Sequence, residues 1–138
     1  MSLTAVVKLA IHELLSRSAY AFDVQDLTML EACFTAEAEF SMRIAGGDLV
    51  GPFVGRTAIM KLFEDSIAVQ TDVRKHVISN IFFDETGDKP SVTSNLTLIS
   101  TENGETDILT AAFYHDTVTM ENGEWRVANR FIDLDRAY

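Results

Sequence analysis

The sequence predicts an α+β fold in which a few helices come first and an antiparallel meander folds against them. Three observations carry this expectation. Up to Ile67, apolar residues recur mainly at spacings of three and four, the period of a helix face. From Val73 onward the period shortens to two. The later apolar runs are separated by Asn103-Gly104 and Asn122-Gly123, and Asn-Gly between β-rich runs is the strongest short hairpin signal. Helices followed by strands place the helices on one face of a curved sheet.

Each element has its own signal. Val7, Ile11, Leu14, Leu15, Ser18 and Phe22 form one face of a first helix. Asp26 is placed to cap a second helix running through Phe34, with Leu27, Leu30 and Phe34 inward. Ala38 to Met42 alternates loosely and predicts a short strand, followed by a turn at Ala45-Gly46-Gly47-Asp48. Gly55-Arg56-Thr57 opens a third helix with Ile59, Leu62, Phe63 and Ile67 as its stripe. Strands are then expected over Val73–Asp84, Ser91–Thr101, Ile108–Met120 and Glu124–Leu134. In the first of these, Val77, Ile81 and Phe83 alternate against Ile78 and Phe82, so both faces look apolar. A sheet with one wet face should alternate cleanly, which implies that the outer face is covered by another copy, in a homodimer or homotrimer.

The chain has 138 residues, suited to one domain over residues 1–138 with a real core. A net charge of −10 disfavours nucleic acid and anionic membrane surfaces, which need clustered Lys and Arg. No apolar run approaches the ~18 residues of a membrane helix, and the start lacks the pattern of a signal peptide, so the expected location is cytoplasmic. Cys33 is the only cysteine and reads as a core residue. No histidines stand at metal-ligand spacing, and no glycine-rich phosphate loop or nucleophile elbow is present, so neither a metal nor a nucleotide cofactor is implied.

Two residues carry the chemistry. His76 falls within the strand Arg74-Lys75-His76-Val77-Ile78-Ser79-Asn80, and Asp23 follows Phe22 at the end of the first helix. A carboxylate there opposes the helix dipole, an unfavourable placement that hints at function. Brought together in an apolar cavity, an imidazole and a carboxylate make a proton-transfer device. The competing roles are a buried structural histidine and a turn aspartate. In Tyr114-His115-Asp116, Tyr114 and Asp116 share one strand face and His115 takes the other. Asp116 is read as a structural ion-pair partner of Arg130 or Arg126.

The order of motifs is helix, Asp, helix, strand, Gly51-x-x-x-Gly55-Arg56-x-x-Ile59, Arg74-x-His76-x-x-x-Asn80, then a meander ending in Gly123-Glu124-Trp125-Arg126-Val127-Ala128. It resembles the SnoaL-like branch of the nuclear-transport-factor-2-like superfamily, along nearly the whole chain. That branch includes polyketide cyclases, scytalone dehydratase and a dehydrochlorinase. The resemblance implies a cone, with a bent sheet wrapped on about three helices around an open-ended apolar pocket. It also implies His76 as a base that takes a proton from carbon, with Asp23 orienting it. The implied substrate-binding wall is Phe22, Phe40, Met42, Phe53, Phe63, Ile67, Ile78 and Phe131, with Tyr114 either donating to a substrate oxygen or serving as a cross-strand core tyrosine with its hydroxyl at the rim. Such a wall predicts a small, flat, apolar ligand. Scytalone dehydratase has two water-holding tyrosines where this chain has Phe22 and Met42, and a second histidine unmatched near Ser100 or Thr101, so scytalone itself is not the expected substrate. The expected activity is that of a cofactor-free lyase or isomerase acting on a polyketide-, aromatic- or steroid-like molecule.

The C-terminal half also resembles the structural β subunits of ring-hydroxylating dioxygenases. It shares Arg74-x-His76-x-x-Ser79-Asn80, Ser94-Asn95, and Trp125-Arg126-x-Ala128-x-Arg130 leading to Leu134-Asp135. That resemblance implies a non-catalytic module instead.

Overall fold

The computed structural model describes residues 3–138; Met1 and Ser2, within the single domain expected over 1–138, lie outside the described residues. Three helices, α1 (Ala5–Asp23), α2 (Leu27–Glu31) and α3 (Arg56–Ala68), pack against one sheet. Its strands are β1 (Phe34–Ile44), β2 (Leu49–Val54), β3 (Val73–Asp84), β4 (Ser91–Glu102), β5 (Glu105–Glu121) and β6 (Glu124–Leu134), in the order β2-β1-β6-β5-β4-β3. All pairings are antiparallel except β1 with β6. The α+β class and the helix-lined curved sheet agree with expectation.

Local chemistry explains the elements. Thr4 caps α1 by accepting from the Val7 amide, and Asp26 caps α2 by accepting from the Met29 amide at 3.0 Å. At both Asn103-Gly104 and Asn122-Gly123 the two residues have positive φ, the backbone of a hairpin turn whose twist matches its strands. α2 is shorter than expected. The apolar stripe of Leu27 and Leu30 continues to Phe34, but Phe34 begins β1, where it is fully buried. β1 extends well beyond the Ala38–Met42 core of the expectation. β2 is an additional edge strand; its Gly51-Pro52 pair is a poor strand signal.

Two bulges decide which side chains face the helices. In β3, Ser79 pairs with Asn95 and Phe82 with Thr93, so β3 carries one extra residue there, and Asn80 takes φ 55°. The bulge reverses the alternation. Arg74, His76 and Ile78 point inward before it, and Ile81 and Phe83 after it, while Val77 and Phe82 face out. The two apolar faces expected for this strand are therefore largely one face, carried across a bulge. In β6, Val127 pairs with Val118 but Asn129 pairs with Thr117, so the extra residue is Ala128. Val127 is inward before that bulge, and Arg130, Ile132 and Leu134 are inward after it.

The core lies between sheet and helices. Ile11 and Leu15 of α1, Leu30, Phe34 and Ile59 meet Val92, Leu98, Val118 and Val127 of the sheet, all fully or nearly fully buried. No helix among the described residues is long and apolar enough to cross a membrane.

Candidate active site

Asp23 is the last residue of α1, and β3 runs beside that helix. The backbone amide of His76 donates to both Asp23 oxygens, at 2.9 Å and 3.1 Å, so the carboxylate is gripped by the strand itself. The His76 imidazole then meets Asp23 Oδ1 through Nδ1 at 2.6 Å. A contact this short between an imidazole and a carboxylate is a strong, charge-assisted type of hydrogen bond. With Nδ1 committed to Asp23, Nε2 is the nitrogen left for the cavity. Both side chains are largely sheltered, His76 10% and Asp23 17% exposed. Phe22 packs on the imidazole with ring centroids 4.9 Å apart, and its other neighbour is Phe63 at 5.2 Å. The carboxylate that helix electrostatics disfavours is thus compensated by three contacts from β3.

His76 forms part of the wall of a cavity of about 110 Å³. Of the residues expected in that wall, Phe22, Phe40, Met42, Phe63, Ile78 and Tyr114 line it. Phe53, Ile67 and Phe131 do not. Phe131 stacks on His115 at 5.9 Å on the outer face, because the Ala128 bulge turns it away from the side that Val127 occupies. Phe53 lies on the edge strand opposite Phe40, outside the ring of wall residues. On α3, Leu62, Phe63 and Ser66 face the cavity, and Ile67, one residue further round the helix, turns past it.

Sequence reasoning missed much of the remaining wall. Ile132 and Leu134 alternate with Arg130 along β6 and reach the cavity beside it, a pattern hidden by the bulge. Leu30 and Phe34 were legible as inward residues but not as cavity residues. Arg130 is the important omission. Its Nε and Nη2 donate to Asp116 at 2.8 Å and 3.0 Å, a bidentate pair with both side chains buried. The expected Asp116–Arg130 ion pair is present, yet the guanidinium also faces the cavity and sits 4.5 Å over the Tyr114 ring. Burial alone would lower the Arg130 pKa, but the Asp116 carboxylate outweighs it and holds the group above its ordinary value, so the cation is permanent. Burial pushes the Tyr114 hydroxyl up, only partly opposed by Arg130; Tyr138, Asp116 and Asp23 push it the same way. Tyr114 is therefore a neutral phenol at ordinary pH, set among an imidazole, a guanidinium and a second phenol.

A fold of this kind, a sheet bent over helices around an apolar pocket, is that of the nuclear-transport-factor-2-like class. The chain belongs to the SnoaL-like domain family, whose model matches residues 5–131. Among solved structures it is similar to a protein of Novosphingobium aromaticivorans provisionally named scytalone dehydratase, with 26% identity, a TM-score of 0.75, and 94% of this chain and 84% of that one covered. It is also similar to ActVI-ORFA of Streptomyces coelicolor, at 16% identity and a TM-score of 0.81 over 95% of this chain and 98% of that one. A Catenulispora acidiphila protein solved in complex with S-DNPA aligns at 19% identity and a TM-score of 0.82, covering 96% of each. The last two likenesses concern the fold. No curated protein matches the chain.

Proposed function

We propose that this protein is a cofactor-free lyase or isomerase acting on a small apolar molecule of polyketide-, aromatic- or steroid-like character. The observation that carries the reading is the 2.6 Å contact between His76 Nδ1 and Asp23 at the wall of an apolar cavity. Asp23 holds the imidazole in the tautomer with Nδ1 protonated and stabilises the imidazolium once it forms. Nε2 takes a proton from a carbon beside a carbonyl or a leaving group. The C–H electron pair either moves onto the carbonyl oxygen as an enolate or forms a double bond as the leaving group departs. Arg130 and Tyr114 stand on the same cavity and stabilise the charge that develops on that oxygen. For isomerisation, the imidazolium returns its proton to another carbon of the enolate.

The test uses a bicyclic ketone such as 1-tetralone in heavy water, with deuterium uptake at the carbon beside the carbonyl followed by NMR. The protein should accelerate uptake, and His76→Ala should lose about 10²–10⁴ of that acceleration. Equal acceleration by wild type and His76→Ala would refute the role of His76.

A second reading has its own support. Val77, Phe82 and Phe113 on the outer sheet face are 43%, 60% and 49% exposed. Such a face suits a homodimer or homotrimer, or the partner of an oxygenase α subunit in a non-catalytic module. Sedimentation of wild type and Phe113→Glu separates these. A homo-oligomer that Phe113→Glu dissociates supports self-association, and a monomer that co-purifies with an oxygenase from its host supports the structural module.

A further inference from the structure

Among the residues that line the cavity, Tyr138 alone is exposed, at 56%. The other wall residues are buried or half-buried, and the half-buried ones cluster on the end of α1, on α3, at Met42 and at His76 and Ile78 of β3. Tyr138 therefore stands at the mouth, with one side on solvent and the other on the cavity. It follows β6 on a short segment outside the helices and strands, tied by Thr110 Oγ1 donating to the Arg136 carbonyl at 2.9 Å and Arg136 Nε donating to the Leu109 carbonyl at 3.0 Å. What holds its ring is Arg74, whose guanidinium carbon lies 5.2 Å from the ring centroid. Arg74 is in turn set by Asp72, which accepts from Arg74 Nε at 3.0 Å on each oxygen and also from Ser100. Arg74 is two residues from His76 on the same inward face of β3, about 7 Å along the strand.

Size makes the mouth matter. A cavity of about 110 Å³ is smaller than the ~150 Å³ hollow that takes a single benzene. Pockets for larger ligands run to about 300–1,000 Å³. A molecule of two or more rings needs more room than this, and displacing Tyr138 from the wall would add it.

We propose that Tyr138 is a door on the cavity and Arg74 its latch, so that the Tyr138–Arg74 stack determines which ligands reach His76. The latch is a single cation–π contact on a residue outside the helices and strands, weak enough to open on thermal fluctuation. The ligand class is a flat, multi-ring, largely apolar molecule that displaces Tyr138 and takes up the space it leaves. This rests on the cavity being the ligand site, but not on His76 acting as a base.

Access can be read without turnover. Diethyl pyrocarbonate modifies the free ring nitrogen of histidine, and the rate at each histidine is followed by peptide mass spectrometry. His115 on the outer face and His12 beside Phe83 serve as internal references. Tyr138→Ala should speed modification of His76 by about fivefold or more, with His12 and His115 unchanged. Arg74→Gln, which removes the latch and keeps the door, should speed it by about twofold to threefold, and Tyr138→Phe, which keeps the ring, should match wild type. If Tyr138→Ala leaves the His76 rate unchanged, the mouth lies elsewhere and the proposal fails. If Arg74→Gln has no effect, Tyr138 is a fixed wall and the latch is refuted. Parallel acceleration of all three histidines would mean general loosening and would likewise overturn it.

Discussion

Two acid–base pairs stand on the cavity, and they are built for different ends. Asp116 and Arg130 form a bidentate pair between neighbouring strands, the carboxylate fully buried. Asp23 and His76 join a helix end to a strand through one imidazole nitrogen, and both keep some exposure. The Arg130 guanidinium keeps its charge at any ordinary pH, because the carboxylate beside it holds it above its ordinary value. The second pair contains an imidazole, whose two nitrogens can serve one as donor to Asp23 and the other as acceptor. On the mechanism proposed above, the imidazole would receive the proton and the guanidinium would face the negative charge left behind.

The contrast can be broken at several points. Asp116→Ala strands a buried guanidinium and should cost about 3–5 kcal/mol of stability, read from urea unfolding. Replacing both partners, Asp116→Leu with Arg130→Met, should restore most of that stability while removing the cavity cation and with it the ketone deuteration. Retained deuteration in the folded double variant would show that Arg130 plays no part. Next in size is the wall of β6. Ile132→Ala should cost about 2–5 kcal/mol as a core truncation, and Phe131→Ala far less, because strand alternation puts the two on opposite faces and the Ala128 bulge makes Ile132 the inward one. Equal costs would mean that the bulge is misplaced. Asp23→Asn should cost only about 1 kcal/mol of stability, since the amide still accepts from the His76 backbone, yet it should greatly slow proton transfer.

The smallest effect concerns alkaline pH. Burial raises the Tyr114 hydroxyl above its ordinary value of 10.0. The folded protein therefore keeps a proton that the unfolded chain gives up. Its stability from this group is complete below about pH 10 and declines as pH rises further. Tyr114→Phe should remove that part of the decline, seen as a flatter dependence of the urea midpoint above pH 10.

How much of this was legible depended on local signals. β3 and β6 have the bounds that alternation and the flanking turn residues mark, and the Asn-Gly hairpins followed from the backbone those residues favour. His76 and Asp23 stood out by residue type and placement, though only the tertiary fold brings a helix end and a strand 53 residues later into contact. The Asn80 and Ala128 bulges were not legible, since one extra residue leaves the apolar content unchanged while reversing every side chain after it. That is why Phe131 was expected inside and Arg130 was expected to be structural only. Tyr138 carried no pattern at all, because a residue beyond the last strand has no period to betray where its ring lies.

The central claim is that His76 carries its proton on Nδ1, toward Asp23, and offers a bare Nε2 to the cavity. Nitrogen-15 NMR of the histidine side chains at pH 7.5 reads this directly. The neutral His76 ring should carry its proton on Nδ1 and leave Nε2 bare, a tautomer that Asp23→Asn disturbs. A neutral His76 ring protonated on Nε2 would contradict the claim.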